Sequence, residues 1–87
     1  MTYLNTAILG RIEWCRWQRT LALTQLEMEA WRAEEEGLRD ALLHRHHTNF
    51  YRYCPEDVFM RYAMGLEDGQ ALIRLANVDR ELATSGL

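Results

Sequence analysis

A single proline, at position 55, divides this 87-residue chain, and nothing upstream of it carries a proline ring. Proline removes a helical hydrogen bond and clashes with the preceding turn, so its absence over 1–54 permits long helices. Leu, Ala, Glu, Arg, Gln and Met dominate that stretch, and the economical expectation is one helix over about 4–47, or two collinear ones. At 1.5 Å per residue such a helix is about 65 Å long. Gly10 and Gly37 are the positions where it is expected to bend or break. Residues 48–54 lose helical character and form a turn. Pro55, followed by Glu56 and Asp57 at the positive helix end, starts a second helix that runs to about 83, with a break at Gly65 or Gly69 as the variant. The expected fold is a single all-α domain over 1–87: a long antiparallel helical hairpin, with a small three-helix bundle as the alternative.

Composition narrows the function classes. Hydrophobic residues make up 48% and charged residues 26%, which places the chain among folded domains and outside the disordered range. The net charge of -3 argues against a general nucleic-acid binder, while every one of the ten basic residues is Arg, which fits a GC-rich genome or a preference for planar, bidentate contacts. No apolar stretch approaches the roughly 20 residues of a membrane span, and no cationic-then-apolar leader is visible, so no membrane partner and a cytoplasmic location are expected. In that compartment Cys15 and Cys54 are free thiols. A continuous first helix would also put Cys15 about 48 Å from His47 and exclude a disulfide with Cys54.

Placed at about 100° per residue, each helix is apolar on two sides. One face of the first holds Leu4, Ile8, Ile12, Cys15, Ala22, Leu26, Ala30, Ala33, Gly37 and Ala41, interrupted by Arg19. Its later half consists of small residues, which allow a facing backbone to approach closely. Roughly opposite lie Trp14, Trp17, Leu21, Met28 and Trp31. The second helix sorts Val58, Phe59, Tyr62, Leu66, Gly69, Ile73 and Ala76 to one side, and Met60, Met64, Ala71, Leu75, Val78 and Leu82 to another. A two-helix hairpin buries one face of each helix. The second faces are therefore expected to bind a protein partner or a second copy, with Trp14, Trp17, Leu21, Met28, Trp31, Met60 and Met64 as the contact residues.

Other chemistries are weaker. His44 and His47 share a helix face and, with Cys54, are the one metal-like set, but no fourth ligand completes it; histidine also suits a helix C-terminus electrostatically. No cofactor is expected. Arg45, Arg52, Phe50, Tyr51 and Tyr53 mix basic and aromatic groups as single-strand sites do, yet residues 27–40 hold six acids against two Arg. That acidic run, Glu27, Glu29, Glu34, Glu35, Glu36 and Asp40, is read as a solvated face, with Glu35 and Arg39 paired at i,i+4. The one serine, Ser85, lies near the C-terminus with no triad in view, and Cys15 on an apolar face is an inert small hydrophobe, so no enzyme is expected.

The long amphipathic helix, the turn, and Cys54-Pro55-Glu56 leading into Phe59, Leu66-Glu67, Gly69 and Ile73 resemble the small YscE-like co-chaperones of type III secretion. The resemblance covers chiefly residues 54–75. It implies a helical hairpin that, with a tetratricopeptide-like partner, keeps a needle subunit soluble, using the Trp14, Trp17 and Trp31 face or the Tyr62, Leu66 and Ile73 face. A small phage- or plasmid-borne inhibitor that occludes a host protein is the alternative with the same physics.

Overall fold

The computed structural model describes residues 6–85, with side chains described to residue 78. The expectations for Leu4 and for the Leu82 side chain lie outside those limits. Four helices follow in order: α1 (Thr6–Leu21), α2 (Gln25–Leu42), α3 (Thr48–Tyr51) and α4 (Glu56–Ser85). The class is all-α, and no described helix is long and apolar enough to cross a membrane.

The first long helix is not continuous to residue 47. It breaks at residues 22–24, not at Gly10 or Gly37, and the cause is local hydrogen-bond chemistry. Thr24 adopts an extended backbone and its hydroxyl accepts from the Glu27 N–H at 3.1 Å, while the Glu27 carboxylate accepts from the Leu23 N–H at 3.0 Å. This is a threonine cap with a returning glutamate three residues on, and it satisfies donors that a new helix N-terminus leaves open. Thr24→Ala is expected to lower stability by about 1 kcal/mol in urea denaturation. An unchanged midpoint would mean that the break is imposed by packing alone.

The break folds α1 back along α2, so the expected 65 Å rod does not form and the longest dimension is 51 Å. That length is set by α4, whose 30 residues run unbroken through Gly65 and Gly69. Ile8, Ile12 and Cys15 of α1 join Leu38 of α2 in one buried cluster, with Trp31, Leu42, Leu72 and Ile73 against it. Cys15 is therefore packed in the core and not held far from the rest of the chain, and both cysteines are free thiols. A second cluster unites Ala33, Tyr51, Val58 and Tyr62, with Cys54, Phe59 and Leu66 at its edge.

The small-residue face of α2 does what its composition predicts. Gly37 faces Leu66, Gly65 faces the Glu34 carbonyl, and Gly69 faces Ala41, so the two backbones lie in direct contact. These contacts advance together along both helices, which shows that α2 and α4 run in the same direction. Residues 43–55 carry the chain back along α2, with α3 packed on the way. The antiparallel pair is α1 with α2, and α4 completes a bundle of three long helices.

The helix end at Leu42 explains His44. The His44 N–H donates to the Ala41 carbonyl at 3.3 Å and the Arg45 N–H to the Asp40 carbonyl at 3.0 Å, with His44 at φ 56°. This is a Schellman closure with histidine in the left-handed position that glycine usually fills.

Candidate functional site

Three arrangements carry the chemistry of the surface. The first is the outward face of α1. Trp14, Trp17 and Leu21 are 53%, 60% and 55% exposed, and a Cβ at Gly10 on the same face would meet open space. They lie on the side of α1 opposite Ile8, Ile12 and Cys15, so burying one face in the bundle leaves this one to solvent. Met28, Met60 and Met64 are also exposed. Met60 and Met64 line a groove between α2 and α4 of about 340 Å³, with Leu26, Ala30 and Trp31, and with Glu27, Asp57 and Arg61 among its walls. Trp31 differs from the other two tryptophans. It is half-buried against the first core cluster, and the Arg61 guanidinium lies 4.0 Å over its ring.

The second arrangement corrects the reading of the acidic run as a solvated face for half of its members, since Glu27 and Glu29 are exposed and Glu36 is half-buried. Glu34, Glu35 and Asp40 are buried, at 2%, 7% and 0% exposure. A buried carboxylate stays charged only if cations and donors replace its water. Glu34 receives Arg11 of α1 and Arg61 of α4, each at 2.7 Å, so one side chain of α2 ties three helices together. Arg11 reaches Asp68 as well, at 3.1 Å. Glu35 receives Arg16 at 3.1 Å, Arg19 at 3.2 Å and Arg39 at 2.9 Å; the expected i,i+4 pair is one of these. Arg19, which interrupted the apolar face, is thus turned to a buried acid. Among the described residues no buried side-chain polar atom lacks a partner.

Asp40 organises the far end of α2. One carboxylate oxygen accepts from Arg45 Nε at 2.9 Å; the other accepts from the Tyr62 hydroxyl and from His47 Nδ1, each at 2.7 Å. Burial pushes this carboxyl up, but the hydrogen bonds from Arg45, Tyr62 and His47 outweigh it and hold Asp40 below the ordinary aspartate value. The Tyr62 hydroxyl accepts from the His47 N–H, and Tyr51, stacked on Tyr62 at 4.3 Å, donates to Glu36. Burial, with the carboxylate of Asp40, pushes the Tyr62 phenol up to about 12.

The weak metal candidates His44, His47 and Cys54 are not brought together among the described residues. His44 is exposed in its helix-closing role, and Cys54 sits near the Phe50 carbonyl. His47 instead joins Glu36 and Asp40. There His47 Nδ1 lies 2.7 Å from Asp40 and 3.3 Å from Glu36, and Arg45 and Tyr62 hydrogen-bond to the same Asp40 carboxylate. Burial, with Glu34 nearby, pushes the Cys15 thiol up to about 12, which suits a packing role and not a nucleophile.

The third arrangement is a cleft of about 410 Å³ lined by Arg16, Arg19, Arg32, Glu35, Glu36, Arg39 and Arg45. Sequence reading missed it because its cations come from α1, α2 and the segment after α2. Of the basic pair Arg45 and Arg52, only Arg45 lines it.

These features define an all-helical domain with an exposed tryptophan face and buried acid–arginine networks. No family model, curated protein or solved structure matches the chain.

Proposed function

We propose that this chain is a non-enzymatic protein-binding module that docks through the α1 face of Trp14, Trp17 and Leu21. The observation that carries the reading is the exposure of two tryptophans and a leucine on one helical face while the opposite face fills the core. Trp and Met are enriched where interfaces bury their centres, and a face of this kind is costly to leave in water. Met28, Met60 and Met64 extend the apolar surface beyond α1. Trp31 contributes less, because Arg61 already covers its ring. The co-chaperone role implied by residues 54–75 is one version of this function, with the larger chaperone as the partner.

The test is the double substitution Trp14→Gln/Trp17→Gln. Both side chains are exposed, so helicity should persist and stability should change by no more than about 0.5 kcal/mol each. Light-scattering mass over a dilution series, with tryptophan emission, reports whether the parent chain self-associates. If it is a dimer, the variant should be a monomer; if it is a monomer, a partner captured by the parent should be lost by the variant. A variant that unfolds, or that keeps its partner, overturns the reading.

A further inference from the structure

The cleft between α1, α2 and the segment after α2 has no role in the docking face and stands on separate observations. Five guanidiniums line it against two carboxylates, in a chain whose net charge is -3. Glu35 alone holds Arg16, Arg19 and Arg39, one carboxylate to three cations. Glu36 is engaged from outside the cleft, by the Tyr51 hydroxyl and by His47 Nδ1 at 3.3 Å. Just beyond the lining, Glu13 lies 3.5 Å from Arg16 and Asp40 pairs with Arg45; counting both, positive charge is still in excess. Arg32 has no ion-pair partner among the described residues.

We infer that this cleft binds a compact polyanion through phosphate-type oxygens. Each guanidinium offers five N–H donors in a planar fork, and those of Arg16, Arg19 and Arg39 spend only a few on Glu35 and Glu13. The remaining donors, and all of those of Arg32, make no ion pair with a carboxylate among the described residues, because Glu36 is bonded to Tyr51 and His47. Glu35 is buried, so it acts as a fixed template that holds three forks together at little further entropic cost, and mutual repulsion among them is relieved by an incoming anion. No apolar side chain lines the space, so recognition is by charge and oxygen geometry and not by a ring or acyl group. The volume lies within the range of small-molecule sites. Five guanidiniums gathered around about 410 Å³ suit concentrated charge on one small molecule and not the extended track of a nucleic-acid backbone.

The probe is inorganic tripolyphosphate, titrated into the full chain by calorimetry at low chloride, with a short single-stranded oligodeoxynucleotide as the second arm. Saturable binding of tripolyphosphate is expected, at least about tenfold weaker in Arg32→Glu and largely retained in Arg32→Lys. Arg32 is exposed and unpaired, so both variants should keep the helical circular dichroism and thermal midpoint of the parent in the absence of polyphosphate; Arg32→Gln gives a neutral check on the same fold. No saturable heat with tripolyphosphate, equal affinity in Arg32→Glu, or tighter binding of the oligonucleotide than of tripolyphosphate would each overturn the inference.

Discussion

Gly65→Val is expected to cost about 3 kcal/mol or more of folding stability, whereas Gly10→Ala should raise stability by up to about 1 kcal/mol. The two glycines sit in the middle of helices and differ only in what surrounds them. A Cβ at Gly10 would meet nothing within 4 Å, so alanine there gains the helix propensity that glycine forgoes. A Cβ at Gly65 would run into the backbone carbonyl of Glu34, and a backbone cannot swing aside as a side chain can. Relief requires α2 and α4 to separate, which opens the contacts of Gly37 with Leu66 and Gly69 with Ala41 and strains the Glu34–Arg61 pair. Against a total of roughly 5–10 kcal/mol for a domain of this size, the loss is a large fraction. Urea denaturation of the two variants beside the parent measures both signs. Equal midpoints for Gly65→Val and the parent would mean that the helices do not approach this closely.

The second large effect centres on Asp40. Asp40→Ala should lower stability by about 3 kcal/mol, because it removes the acceptor of a buried tyrosine hydroxyl and the anion that holds Arg45 and His47. Arg45 and His47 are partly exposed and can turn to water, which limits the loss. Tyr62 is fully buried and cannot. Tyr62→Phe should therefore cost less, about 1 kcal/mol, since it leaves Asp40 with two partners and the His47 N–H, on an exposed residue, can turn to water.

The same carboxylate predicts an acid limb. Its folded-state value is depressed, so its contribution is fully present above the unfolded-state value and is lost as pH falls through the folded one. Stability should decline below about pH 4 for this reason, and Asp40→Asn should show a shallower decline over that range. Identical acid limbs in parent and variant would remove Asp40 from the explanation.

Glu34 and Glu35 show why burial of the acidic run was not legible in one dimension. Glu34 is separated by 23 residues from Arg11 and by 27 from Arg61, and Glu35 by 16 from Arg19. Glu34 and Glu35 are buried because cations from distant elements meet them, and hydrophobic periodicity says nothing of those meetings. The Arg-lined cleft follows from the same convergence and was equally hidden. Thr24 is a different case. The pattern Thr24-Gln25-Leu26-Glu27 is a helix-start signature present in the sequence, but uniform helix propensity on both sides masks it by favouring one long element.

What the sequence by itself determined about this protein is its helical class and most of its inward faces; Leu26, placed inward, is 41% exposed, and Leu38, not placed there, is fully buried. Ile8, Ile12, Cys15, Ala30, Ala33 and Ala41, with Val58 and Tyr62, are buried as their spacing requires, and the small residues of α2 meet a closely approaching backbone. Those properties depend on periodicity and side-chain volume, which act within a single helix. Only the tertiary structure decided that α4 runs parallel to α2, that α1 packs on α2 and reaches α4, that Glu34 and Glu35 are enclosed by arginines, and that Asp40 is held by Arg45, His47 and Tyr62. These depend on which distant segments meet, and a single turn of capping at Thr24 together with the return path through residues 43–55 sets that choice.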